Sequence, residues 1–195
     1  MRTKNKAYRL PTEQEIQTEL ERTRYKARYR RTLLNTIEVL VTVAAVSVLV
    51  AMLLLPVLQI HGSSMTPTLE DGEIVLALQR SEMKQGDLIA FYYGDKLLIK
   101  RCIAAPGQWV DIDEDGNVYV DGILLNEPYL EEKALGECDI TLPYQVPDNR
   151  WFLMGDHRSA SLDSRSTQIG CISQEQILGT VVIRIWPLAK LSSLR

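Results

Sequence analysis

Three polar segments set in apolar surroundings carry residue types able to do chemistry. A hydroxyl-rich turn runs His61-Gly62-Ser63-Ser64-Met65-Thr66-Pro67-Thr68-Leu69. A lysine sits inside an apolar run, Leu97-Leu98-Ile99-Lys100-Arg101-Cys102-Ile103. A third segment, Met154-Gly155-Asp156-His157-Arg158-Ser159-Ala160-Ser161-Leu162-Asp163-Ser164-Arg165, follows a hydrophobic stretch. A serine hydroxyl is a weak nucleophile and needs a base. Two bases are available. His157, with Asp156 or Asp163, would make a Ser-His-Asp arrangement. Lys100, among Leu97, Leu98, Ile99 and Ile103, would be desolvated, and desolvation lowers a lysine pKa. A neutral lysine takes the serine proton in the Ser-Lys variant of the triad. Each segment also has a plain structural reading. Ser63 and Ser64 would cap a turn before Pro67, Lys100 would snorkel to solvent, and Asp163 with Arg165 would be a surface ion pair.

Other chemistries are excluded or unsupported. The two His are His61 and His157, and no C-x-x-C or H-x-x-x-H spacing exists, so neither a metal nor another cofactor is expected. Cys102, Cys138 and Cys171 lie more than 30 residues apart. Cys102 and Cys171 are open to two readings, buried apolar thiols or a disulfide. Cys102 has no His near it in sequence to make it a nucleophile. There is no Gly-rich phosphate loop, no G-x-S-x-G and no internal repeat.

The elements that must position these residues are marked by charge. Residues 1–38 hold ten Lys/Arg against five Asp/Glu, residues 39–60 hold no charge, and residues 61–195 hold twelve Lys/Arg against twenty Asp/Glu. The acidic body would repel phosphates, so nucleic acid is not an expected partner. The neutral segment, Val39 to Ile60, is about 20 residues of mostly Val, Leu, Ala and Met, enough at about 1.5 Å per residue to cross a hydrocarbon core of about 30 Å. It lacks an A-x-A cleavage pattern at its end, and reads as an uncleaved transmembrane signal anchor. Arg22, Arg24, Lys26, Arg28, Arg30 and Arg31 flank it, which puts the N-terminus in the cytoplasm and the body outside. Residues 11–38 read as a helix starting at Pro11-Thr12-Glu13, its basic residues available to anionic membrane lipid.

The body reads as mainly β. Strand-like runs are Glu73–Gln79, Asp87–Tyr93, Lys96–Ala104, Arg150–Gly155 and Gly179–Trp186, with a hairpin over Trp109–Leu125 turning at Asp115-Gly116. Residues 127–149 are acidic and proline-rich and read as an inserted loop or small subdomain. Many short strands with little helical periodicity predict a partly open β-barrel or sandwich behind one N-terminal transmembrane helix.

Taken in order, the segments resemble the type I signal peptidases, the Ser-Lys serine peptidases that remove signal peptides from exported proteins. The nucleophile box resembles Gly62-Ser-Ser-Met-Thr-Pro-Thr-Leu69, the structural G-D box looks like Gly86-Asp87, and the I-K-R-x-I-x-x-P-G box matches Ile99 to Gly107. The last box, G-D-N-R-D-N-S-x-D-S-R, is similar to Gly155–Arg165, and GTVVIRIWPL is similar to the final strand. One N-terminal anchor looks like the single-span, Gram-positive-type branch.

The resemblance implies a membrane-bound endopeptidase that cleaves exported preproteins after an A-x-A type site. It makes Ser64 the nucleophile that forms an acyl-enzyme and Lys100 the general base. Ser161 would orient the lysine, and Asp163 with Arg165 would tie the last box together. The Ser64 N–H would be one oxyanion donor; relatives with a second use a hydroxyl where this chain has Gly62. Ile60, Met65 and Leu98 would line the −1 pocket, and the substrate would add as a strand to an exposed edge. His157, Ser159 and Ala160 depart from the family's usual Asn, Asp and Asn. Competing readings are a relative with a narrow client such as a pilin or surface protein, a non-catalytic assembly module, and a self-cleaving repressor, which would need a DNA-binding head.

Overall fold

In the computed structural model, residues 12–79 and 82–194 are described. Pro11 and the rest of the first eleven residues of the basic segment lie outside them. Residues 1–51 and 52–195 make two compact units.

Among its described residues the first unit is helical, and its helix, α1 (Glu13–Leu54), ends just past Ala51. The Thr12 N–H donates to Glu15 Oε2 at 2.8 Å, and Glu13 and Glu15 place negative charge in the first turn. Both satisfy the exposed N–H groups and positive dipole end of a helix. An 18-residue window reaches a mean hydropathy of 2.2 with none of it buried, so the helix is long and apolar enough to cross a membrane. Pro56 disfavours helix at the residue before it and has no N–H to donate. The helix accordingly ends at Leu54, short of the expected Ile60. From Thr32 to Leu54 the only charge is Glu38, so the apolar length lost at one end is available at the other.

The second unit is mainly β. Its strands are β1 (Val57–Gln59), β2 (Ile74–Leu78), β3 (Leu88–Tyr93), β4 (Lys96–Ala104), β5 (Trp109–Ile112), β6 (Val118–Val120), β7 (Ile123–Leu124), β8 (Tyr144–Gln145), β9 (Arg150–Met154), β10 (Ile172–Ser173), β11 (Ile177–Trp186) and β12 (Ser192–Ser193). A larger sheet runs β1-β2-β11-β3-β4-β9-β10, with β12 on β11; a smaller one runs β7-β6-β5-β8. All pairings are antiparallel. The larger sheet does not close, since β1 and β10 stand at its two ends, so the body is partly open as the strand pattern implies.

β1 was expected to belong to the membrane span. Instead Val57, Leu58 and Gln59 pair with Leu76, Val75 and Ile74, and Leu58 is buried with Val75. The hairpin turns at Gly116 as expected, but the chain reverses again at Asp121-Gly122 to add β7.

Two features of the larger sheet matter for a site. β3 is buried on both faces. Leu88 and Ala90 pack in a cluster with Ile60, Met65 and Leu69, whereas Ile89 and Phe91 pack with Cys102, Leu153 and Ile172. β4 changes partners along its length. Lys96–Arg101 pair with β3, but β9 joins only from Arg101 onward. Over Lys96–Lys100 the other side of β4 has no strand partner among the described residues.

Candidate active site

The turn after β1 is built by local hydrogen bonds. Ile60 N–H donates to Glu73 O at 2.8 Å and Gly72 N–H to Ile60 O at 3.0 Å, closing a loop that carries residues 61–71. Gly62 has φ +88°, a conformation that favours glycine, and its N–H donates to Asp71 Oδ1 at 2.7 Å. That N–H is therefore committed to the turn. Thr66 N–H and Oγ1 both donate to Ser63 O, at 3.1 and 2.8 Å. The Ser64 carbonyl accepts the His157 N–H at 3.1 Å.

Lys100 lies on β4, opposite Ile89, and is only 3% exposed. It does not snorkel. Its Nζ donates to Ser161 Oγ at 2.9 Å. Burial pushes the ammonium down to about 8; Asp163 opposes this, Arg165 adds to it and Asp156 opposes it. No hydrogen bond joins Lys100 Nζ directly to Ser64 Oγ. Gly155 explains how the two polar segments meet. A Cβ there would collide with Ser161 Oγ on one side and the Ser64 carbonyl oxygen on the other. Only a residue without a side chain allows both to pack against it.

Asp163 and Arg165 are a buried pair, neither side chain exposed at all. Arg165 Nε donates to Asp163 Oδ1 and its Nη2 to Oδ2, both at 2.8 Å. Burial alone would raise the Asp163 carboxyl, but Arg165 and the Gly155 N–H at 2.9 Å hold it below the usual range. Arg165 also reaches the carbonyls of Leu135 at 2.6 Å and Arg158 at 2.9 Å.

Ser64 and Lys100 line one groove of about 580 Å³, together with Leu98, Ala160 and Leu162. Beside it a cavity of about 410 Å³ is lined by Ile60, Ser64, Met65, Leu98 and the β1 residues Val57–Gln59. The structure thus brings Ile60, Met65 and Leu98 around Ser64, and the unpaired stretch of β4 forms the opposite wall.

Residues 33–186 match the model of a family described as signal peptidase, peptidase S26. The chain belongs to the signal peptidase family. Its activity is the family's, cleavage of signal peptides by a serine endopeptidase, and preproteins that carry signal peptides are its substrates. With an N-terminal helix apolar enough to cross a bilayer, it is a membrane-anchored member. It is 30% identical to a signal peptidase I of Bacillus amyloliquefaciens, covering 88% of this chain and 96% of that one. A second signal peptidase I from that organism is 36% identical over 66% of this chain and 72% of its own. Signal peptidase I of Bacillus licheniformis is 29% identical over 81% of this chain and 91% of its own. A crystal structure of a signal peptidase I from Enterococcus faecalis V583 aligns with 51% of this chain and 97% of its own, at 27% identity and a TM-score of 0.42.

Several residues at the signal peptidase site were not singled out by sequence reasoning. Arg101 Nε donates to Asp156 Oδ1 at 2.8 Å and its Nη2 to Oδ2 at 2.6 Å, and its Nη1 donates to Gly86 O at 2.7 Å. Its guanidinium lies 3.8 Å from the centre of the Tyr129 ring. Arg158, 1% exposed, forms a buried ion pair with Glu127. The I-K-R spelling could have pointed to Arg101, and Asp156, weighed only as a partner for His157, pairs with that arginine instead; nothing in the sequence pointed to Glu127 or Tyr129. The segment 127–149 is therefore a strap, held through Glu127 to Arg158 and through Ala134 and Leu135 to Arg165.

His157 Nδ1 contacts Ser63 O and Thr66 Oγ1, each at 3.2 Å, so its ring serves the turn backbone. All three cysteines are free thiols. Burial, with Asp87 nearby, pushes Cys102 up to about 12, and burial pushes Cys171 to about 11, so neither is a nucleophile near neutral pH.

Proposed function

We propose that Ser64 is the nucleophile and Lys100 its general base, and that the chain cuts exported preproteins after A-x-A. The supporting observation is the buried lysine. Its Nζ is held by one hydroxyl, its proton affinity is lowered to about 8, and it lines the same groove as Ser64. A base poised near the working pH is the condition for efficient proton transfer. Neutral Lys100 Nζ takes the Ser64 proton as Oγ bonds to the scissile carbonyl carbon. The Ser64 N–H stabilises the oxyanion. Lys100 then gives that proton to the leaving amine, which departs as the new N-terminus of the mature protein. Lys100 next takes a proton from water, whose oxygen attacks the Ser64 ester. The signal peptide leaves as a carboxylic acid that gives its proton to solvent, and the proton on Lys100 returns to Ser64 Oγ.

The preprotein enters as an extended strand between β1 and the unpaired side of β4 over Lys96–Lys100. Backbone groups on an open edge supply affinity, and alternate side chains reach pockets. The cavity of Ile60, Met65 and Leu98 takes a small −1 residue. Helix α1 anchors the chain in the cytoplasmic membrane with its basic N-terminus inside and the β body outside. Its Lys and Arg meet anionic lipid headgroups.

Cleavage of a preprotein ending its signal in A-x-A by the detergent-purified full chain tests this. Wild type, Ser64→Ala and Lys100→Ala run side by side, with the cut read by mass spectrometry. A cut after the second Ala, lost in both variants, is the expected result. Full activity in either variant would sink the dyad.

A further inference from the structure

Ser63 and Ser64 share one planar trans peptide, so the Ser63 C=O and the Ser64 N–H point in opposite directions. Fixing one aims the other. Three donors fix the Ser63 oxygen: Thr66 N–H at 3.1 Å, Thr66 Oγ1 at 2.8 Å and His157 Nδ1 at 3.2 Å. The 3.2 Å contact is a hydrogen bond in the tautomer that protonates Nδ1. A carbonyl oxygen only accepts, so Nδ1 is the donor there. The Thr66 hydroxyl hydrogen is used on Ser63 O, which leaves its lone pair facing His157 Nδ1 at 3.2 Å. The His157 backbone N–H meanwhile donates to Ser64 O at 3.1 Å. One residue therefore holds the carbonyls on both sides of the Ser64 α-carbon.

We propose that His157 is a positioning residue for catalysis, which aims and polarises the Ser64 N–H at the developing oxyanion by gripping the carbonyl end of the same peptide. The proposal rests on the reading of Ser64 as nucleophile and oxyanion donor. Two general effects support it. A hydrogen bond to an amide oxygen strengthens the donor power of that amide's N–H. An oxyanion donor contributes most when it is already aimed at the place where charge develops. The demand on this N–H is high in this chain. Gly62 offers no hydroxyl, and its own N–H is bonded to Asp71. The His157 ring has no hydrogen bond to Lys100 or Ser161, and replacing it leaves its backbone N–H on Ser64 O, so what the imidazole adds acts through the Ser63 carbonyl and Thr66.

The test uses the full chain in detergent and a signal-peptide substrate, with His157→Ala, His157→Asn and Ser64→Ala. The Asn Nδ2 can occupy the place of the imidazole Nδ1. His157→Ala should lower kcat about tenfold, less than the roughly 10²–10³-fold cost of removing an oxyanion donor outright. KM should be unchanged. Binding of a peptide aldehyde ending in Ala, which forms a tetrahedral adduct, should weaken by the same factor. His157→Asn should restore both. An unchanged kcat in His157→Ala, a loss confined to KM, or a loss that Asn does not restore would overturn the proposal. Ser64→Ala separates the two levels. If it is inactive while His157→Ala is fully active, only the role of His157 fails; if it is active, the nucleophile assignment fails with it.

Discussion

Lys100 Nζ and Ser161 Oγ stand 2.9 Å apart with both residues 3% exposed, so the ammonium and its hydroxyl partner are buried together at the floor of the groove. A neutral hydroxyl stabilises the lysine position without pinning its charge, unlike a carboxylate at that distance. The carboxylate that most opposes the effect of burial, Asp163, is already bound to Arg165. Burial can therefore win.

The pH dependence of kcat/KM should show an acidic limb near 8, where neutral Lys100 becomes the majority form. Activity rises as pH increases through that value. Ser161→Ala should reduce kcat by roughly 10²-fold, the scale of a misaligned general base. Steady-state cleavage over a pH series checks both. A limb near the ordinary lysine value of about 10.4 would contradict the burial of the base.

The same shift acts on stability, with the sign set by linkage. The folded lysine titrates near 8 and the unfolded one near 10.5, so unfolding takes up a proton between those values. Stability is then lowest below pH 8 and rises across that window by about 3 kcal/mol. Lys100→Met, which keeps the apolar stem, should be more stable than wild type at pH 7 by up to that amount, and the gain should vanish above pH 10.5. Urea unfolding of the full chain in detergent at the two pH values measures it.

How much of this was legible in the sequence depended on what buries each residue. β4 was read with both its ends because its run of apolar residues is bounded by polar turns. β3 was legible as a strand although Leu88-Ile89-Ala90-Phe91 does not alternate, since it is covered on both faces. β1 was hidden. Val57-Leu58 continue the hydropathy of α1 beyond Pro56, and their place in a sheet follows only from pairing with β2. The residues proposed for catalysis, Ser64, Lys100 and Ser161, were singled out because they stand in spelled-out boxes. Arg158 and Glu127 were not. Charged residues 31 positions apart read as surface, and burial of their ion pair follows from tertiary packing that no local pattern encodes.

Gly155→Ala should remove activity with the Ser64 and Lys100 side chains intact. The added methyl meets Ser161 Oγ and Cβ and the Ser64 carbonyl oxygen, and neither that Cβ nor the backbone oxygen can swing aside. A displacement of about 1 Å at a reacting centre costs roughly 10²-fold in rate. The expected loss of kcat/KM is therefore at least about 100-fold. A variant that cleaves at the wild-type rate would mean that the Ser64 turn and the Ser161 loop are free to separate.

Glu127→Ala should destabilise the body by about 3 kcal/mol, the order of cost of leaving one partner of a buried ion pair alone. Glu127 accepts from Arg158 Nη1 at 3.2 Å and from the Tyr129 hydroxyl at 2.8 Å, so its loss strips two neighbours at once. Arg158 Nε donates to the carbonyl of Gly155 at 3.1 Å, the residue on which Ser161 and Ser64 pack. The strap should loosen first. Limited proteolysis of the full chain should cut within 127–149 faster in the variant, and urea unfolding should show the lower midpoint. Cleavage activity should fall less than in Gly155→Ala, because Arg165 still holds the strap at Leu135 and the loop at Arg158 O. An activity loss as large as that of Gly155→Ala, with unchanged stability, would show that Glu127 acts on the reacting groups rather than through the strap.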